Sequence, residues 1–119
     1  MAIVEDAFGR VLFVKQTAGK RLWTLPGGKV KEGESLNAAL RREVLEEVGV
    51  KVKRMRLADV YDRPEKMALT ILYRVTLEPG DFAPKKSEIE EIKFHVKLPA
   101  RATPSAKYFL RTTRGPAAP

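Results

Sequence analysis

Hydrophobic and polar positions fall along this chain in blocks that predict a strand-rich domain with two helices. Ile3-Val4 and the apolar run Val11-Leu12-Phe13-Val14 flank Glu5 to Arg10, whose Phe-Gly-Arg end suggests a turn, so they read as a strand pair. Leu22 to Leu25 is short and extended and stops at Pro26. From Ser35 to Val48 the chain is rich in helix formers and holds no Pro or internal Gly. Ser35 is a fitting N-cap, and Gly49 suits the left-handed residue that ends a helix. Val52–Tyr61 and Met67–Leu77 read as antiparallel strands around an Asp62–Lys66 turn; Glu88–Val96 is a further strand and Ser105–Thr112 a second helix. This order sets helices on both faces of a mixed sheet.

The first helix carries an anomaly. At about 100° per residue, Leu36, Ala39, Leu40, Val44 and Val48 form one arc, as in a helix lying on a core. Glu43 and Glu47 fall inside that arc and Glu46 lies at its edge. Like charges three and four residues apart beside an apolar stripe are costly unless compensated. A divalent cation compensates them well, because hard ions such as Mg²⁺ prefer carboxylate oxygens and keep water and phosphate as further ligands. The alternative is a solvated acidic face paired with Arg41, Arg42 and nearby lysines. Ahead of the helix, Pro26-Gly27-Gly28 must turn, and its glycines let the backbone come close to a ligand. Lys29, next in line, is placed to reach a phosphate or to stay solvated; Trp23 and Tyr61 are placed to stack on a base or simply to pack.

Gly28, Glu34, Arg42, Glu43, Glu46, Glu47 and Gly49, with aliphatic Val44 and Val50, fit the pattern G-x5-E-x7-R-E-U-x-E-E-x-G-U without a gap or substitution. From average residue usage, a chance match is about one in a billion per register. The stretch resembles the Nudix box, and the specific part of the resemblance runs from Trp23 to Val50. It implies the Nudix α/β/α sandwich with a mixed central sheet. It implies a pyrophosphohydrolase dependent on Mg²⁺, with Mn²⁺ as a substitute, acting on a nucleoside diphosphate linked to another group. It assigns Glu43, Glu46, Glu47 and the Gly28 carbonyl to metal, and names Glu43, Glu47, Arg42 and Glu34 as catalytic. In that assignment Arg42 orients a catalytic glutamate and Glu34 assists metal or loop geometry, while the base is a box glutamate or one from elsewhere. Relatives often place an auxiliary acid near residues 87–94; here Glu90 or Glu91 is preferred, Glu91 also as a substrate contact, with plain surface charge as the alternative. Lys29 and Trp23 complete the expected substrate contacts.

The stretch from Val60 to Val75 resembles the MutT-type branch, which favours nucleoside triphosphates as substrates. Pro64 keeps ADP-ribose in view, and dinucleoside polyphosphates stand beside it. A nucleotide-sensing module without turnover is the reading from another class, although such modules often lose box carboxylates.

Composition narrows the rest. The 119 residues fit one domain, expected over 1–112, with a flexible basic tail at 113–119. The absence of cysteine excludes thiol catalysis and zinc thiolates and fits a cytoplasmic setting. The single histidine, His95, reads as structural or surface. The N-terminal stretch lacks the layout of a signal peptide, and no apolar run approaches the roughly 20 residues of a membrane helix. The net charge is +8, and Lys93, Lys97, Arg101, Lys107, Arg111 and Arg114 stand without an acid in residues 92–119. Such a surface is inert or steers a polyphosphate. No nucleic-acid motif accompanies it, though capped RNA stays open as a substrate. A monomer or a homodimer is expected.

Overall fold

The computed structural model describes residues 1–114, with side chains through residue 112. The elements are β1 (Ala2–Ile3), β2 (Val11–Gln16), β3 (Trp23–Thr24), α1 (Leu36–Val48), β4 (Val52–Arg63), β5 (Ala68–Leu77), β6 (Ile89–His95) and α2 (Pro104–Arg114), with a 3₁₀ turn at Pro64–Lys66. α2 includes Thr113 and Arg114, and the remainder of the expected tail lies outside the described residues.

One sheet has the order β1-β5-β4, the other β3-β2-β6. β1 runs parallel to β5 and the other strand–strand pairings are antiparallel, which gives the expected mixed character. The sheets meet where Leu12 N–H donates to the Val4 carbonyl at 2.9 Å and Glu5 bridges Val11.

That junction keeps Val4 against β2 as expected and corrects the expectation for Ile3. Asp6 accepts from the Phe8 and Arg10 backbone N–H groups at 2.9 Å each and ties the turn. Beyond Val4 the chain leaves β2, and Ala2 and Ile3 pair with Tyr73 and Arg74 instead. On its other side Ala2 N–H donates to the Pro26 carbonyl at 2.7 Å, so β1 is satisfied along both edges. A two-sided hairpin with β2 would have left one of those edges open.

β2 is the wall on which both layers rest. Leu12 and Val14 join Leu40, Val44 and Val48 of α1 in one core cluster. Val11 and Phe13 face the other way, onto Ala106, Phe109 and Leu110 of α2. A strand covered on both faces reads as an unbroken apolar run, as this one does. The apolar arc of α1 is buried as expected except at Leu36, which is 46% exposed. Leu36 lies in the first turn, where it lines a cleft rather than the core.

Both caps of α1 follow the sequence. Ser35 Oγ accepts from Ala38 N–H at 3.1 Å, and Gly49 ends the helix at φ 77°. A Cβ on Gly49 would stand 2.6 Å from the Ala83 carbonyl oxygen. Among the described residues no helix is long and apolar enough to cross a membrane.

Two substitutions test this packing by chemical denaturation. Phe109→Ala, which empties a fully buried ring site, should cost about 3–5 kcal/mol. Gly49→Ala combines left-handed strain with a backbone clash and should cost more than about 1 kcal/mol. A loss under about half a kcal/mol from either would contradict the packing described.

Candidate active site

The glutamates of α1 are organised by one side chain. Arg42 donates through Nε and Nη2 to the two oxygens of Glu34, at 2.7 and 2.9 Å. Its Nη1 reaches Glu43 at 2.7 Å and Glu46 at 3.4 Å, and Nη2 also donates to the Lys29 carbonyl at 3.1 Å. A planar guanidinium with five donors suits this task, where a lysine would not. The network ties the loop before the helix to the helix itself. Glu34 also accepts from Lys31 N–H at 3.0 Å, and the Arg42 fork holds its carboxyl down at about 2.

The remaining box acid lies deepest. Glu47 is 8% exposed and accepts from Gly27 N–H at 2.8 Å. Burial pushes its pKa up to about 8; the Gly27 bond opposes this, and the charges of Glu43 and Glu88 add to it. Gly28 is packed against Glu43, since a Cβ there would stand 2.5 Å from the Glu43 carboxyl carbon. A side chain at 28 would push the Glu43 carboxylate away from its place against Arg42.

Among the described residues no three acidic or histidine side chains already converge on one ion. Arg42 holds oxygens that a metal would use. The donor set nonetheless fits a hard divalent cation: Glu43, Glu46 and Glu47 supply carboxylate oxygens, and the N-terminal ammonium that acts on the buried Glu47 does not outweigh its burial. These residues, with the Gly28 carbonyl, are the ones that would hold it.

A cleft of about 640 Å³ adjoins this network, and Gly28, Lys29, Leu36, Arg63, Met67 and Leu69 are among its lining residues. Lys29 is thus at the cleft with its side chain exposed. Trp23 is elsewhere. It packs on the α2 side, edge-on to His95 at 4.7 Å. His95 also meets Phe13 edge-on at 5.4 Å, and burial lowers its pKa. Tyr61 is stacked on Tyr108 at 4.1 Å.

The acids of β6 do not alternate as a regular strand would place them. The pairing shifts between Lys15↔Glu91 and Gln16↔Ile89, leaving Glu90 as the extra residue of a bulge. Ile89 and Ile92 consequently pack on the same cluster. Glu90 is neutralised by Arg21 and by Lys15, the former at 2.7 Å through Nε, and Glu91 is exposed opposite Lys15. Glu88, just before the strand, is the acid of this segment whose charge acts on Glu47. Periodicity alone could not select it, because the bulge breaks the period between it and Ile92. Of the described basic side chains after position 92, none lines the cleft.

Comparison with known proteins decides the family. A model of the NUDIX domain matches residues 1–112. The chain belongs to the Nudix family. An RNA pyrophosphohydrolase of Teredinibacter turnerae is 38% identical over 71 residues, covering 55% of this chain and 42% of its own length. An 8-oxo-dGTP diphosphatase of Buchnera aphidicola subsp. Schizaphis graminum is 60% identical over 35 residues, 29% of this chain and 27% of its own. The aligned region thus spans less than half of either curated relative. A crystal structure of a MutT NUDIX hydrolase from Burkholderia pseudomallei superposes with a TM-score of 0.77 at 23% identity, covering 93% of this chain and 97% of that one. The Nudix α/β/α fold expected from the box is the fold observed.

The buried glutamate of this Nudix domain gives a pH test. With its folded pKa raised from 4.5 to about 8, Glu47 stabilises the metal-free fold fully below its unfolded value, and that stability is lost as pH rises through about 8. The largely buried Met1 ammonium, its pKa lowered to about 6, acts in the opposite sense over the same range, so the chelated wild type should lose stability relative to Glu47→Gln between pH 6 and pH 9. Glu47→Gln should remove that part of the slope, and saturating Mg²⁺ should reduce it in the wild type. A Glu47→Gln melting profile parallel to that of wild type between those pH values would refute the assignment.

Proposed function

We propose that this Nudix domain is a metal-dependent nucleotide pyrophosphohydrolase whose favoured substrates are nucleoside triphosphates. The observation that carries the reading is the Arg42-centred network. It holds Glu34, Glu43 and Glu46 together beside the buried Glu47 and ties them to the Gly27–Lys29 loop, whose residues line the cleft.

A phosphoanhydride resists hydrolysis because its negative oxygens repel nucleophiles. A bound divalent ion supplies charge neutralisation and a more acidic water. The rest falls to the chain itself. Arg42 fixes Glu43 through Oε1 and prevents the helix carboxylates from splaying apart. One glutamate takes the proton of the attacking water, with Glu43 and Glu47 as the box candidates and an acid from elsewhere as the alternative. Glu47 is held through Oε1 by Gly27 N–H. Lys29 at the cleft faces the phosphates as a point charge. Attack at a phosphorus then releases two phosphate-bearing products.

A hydrolysis panel at mildly alkaline pH with Mg²⁺ or Mn²⁺ tests this. It should include nucleoside triphosphates (oxidised ones too), ADP-ribose, dinucleoside polyphosphates and capped RNA. Chelator-sensitive turnover should be greatest on a triphosphate. Glu46→Gln and Glu47→Gln should each lower kcat by about 10²–10⁴. Arg42→Lys should lower kcat/KM at least about tenfold, since one ammonium cannot replace the fork. Preference for ADP-ribose or a dinucleoside polyphosphate would move the substrate assignment. Tight nucleotide binding with no turnover under either ion would replace the enzyme by a sensing module.

A further inference from the structure

The sheet that contains β4 ends in an open edge. β4 is the outer strand of the order β1-β5-β4 and runs for 12 residues, Val52–Arg63, about twice the usual strand length. Long edge strands present unpaired main-chain groups and are normally closed in some way. At the start of this one, Arg41 Nη1 of α1 donates to the Val52 carbonyl at 2.9 Å. Further along, Val60 N–H is taken by the neighbouring Asp59 Oδ1 at 2.7 Å, in a contact exposed to solvent. Leu57, on the same strand, is 62% exposed.

The charges on this strand are sorted by sign and left without ion pairs. Lys53, Arg54 and Arg56 occupy its first half, Asp59 and Asp62 its second, and none of the five has an ion pair among the described residues. Arg63, at the very end, lies over the Tyr61 ring. Arg56 stands directly opposite Arg74 of β5, and like charges so placed destabilise a strand pair. Arg74 is neutralised by Glu5 at 2.7 Å, which leaves Arg56 uncompensated. A bulge at Ala58 separates the two halves. Across it Arg56 and Asp59 stay on one face, lining a hollow with Tyr108 and Thr112 of α2. Met55 packs on the α1 side, and Val60, next to Asp59, points to that side by alternation.

A strand with bases first and acids second is complementary to a second copy of itself running antiparallel. We propose that β4 is a dimer interface, at which two copies of this chain join edge to edge about a two-fold axis at Ala58 and merge their three-stranded sheets into one. With the axis at the bulge, Arg56 faces Asp59 of the other copy and Asp59 faces its Arg56, on the face both already share. Lys53 comes alongside Asp62, and Met55 meets Val60 on the opposite face. Moving the axis by one position sets Arg56 against Arg56 or Asp59 against Asp59, so charge fixes the register. The main chain of the other copy takes over the Val60 N–H, and Asp59 exchanges that contact for an arginine.

The test is sedimentation equilibrium of the full chain and of charge-reversed variants. Wild type should be dimeric at about 100 μM. Arg56→Asp and Asp59→Arg should each raise the dimer Kd about tenfold or more. The two substitutions combined restore opposite charges at both contacts and should bring Kd back toward wild type. A wild type that is monomeric at about 100 μM overturns the proposal. So does a dimer that either reversal leaves intact in a folded variant, because it must use another surface. A folded double variant that associates as weakly as the single ones overturns it as well. Should Asp59→Arg fail to fold on losing its 2.6 Å bond from the Thr112 hydroxyl, Arg56→Asp and Lys53→Asp decide, since both residues are exposed and neither has an ion pair among the described residues.

Discussion

The structure depends on one arginine holding like charges together. Glu43, Glu46 and Glu47 occupy adjacent positions on α1, and Glu34 is brought to them by the preceding loop. Unit charges a few ångströms apart in a partly dry site repel by several kcal/mol. Arg42 offsets much of that through contacts to Glu34, Glu43 and Glu46, and its bond to the Lys29 carbonyl carries the constraint into the loop backbone. The loop glycines then come within reach of the acids: Gly27 through its N–H, and Gly28 because it has no side chain. A substitution at Arg42 would act on loop, helix and acids together.

The burial of Glu47 follows from the same packing that stabilises the fold. A helix that must cover a core cluster with Leu40, Val44 and Val48 has little room to turn an interleaved residue outward. Glu47 is therefore carried inward beside Val44 and Val48, where ionisation is costly in the absence of a cation. Core and site are thus in tension, as is usual where a functional group is placed against local preference.

The cleft has a different origin. Its walls come from the loop before α1, the first turn of α1 and the β4–β5 turn. Pairing of β4 with β5 brings Arg63 opposite Ala68 and sets the exposed Met67 at the turn. α2 contributes Ser105 to the lining, and its Tyr108 supports Tyr61, which in turn supports Arg63. Both helical layers thereby bear on one binding surface.

Local chemistry was legible in the sequence because it depends on residues near one another in the chain. The period of 3.6 gave α1 and its carboxylate sector, Ser35 and Gly49 gave its ends, and the spacing from Gly28 to Val50 gave the family. The unbroken run at Val11–Val14 marked a strand covered on both faces. Tertiary structure decided what depends on partners far along the chain. It gave Ala2-Ile3 to β5, set Trp23 against His95, and placed a bulge at Glu90 that leaves Glu88 acting on Glu47. It left Arg63 beside a cleft with an unpaired donor. Period and propensity describe a residue's own neighbourhood. Which edge a strand joins, which acid is neutralised and which donor stays open are fixed only when distant segments compete for the same hydrogen bonds and the same buried space.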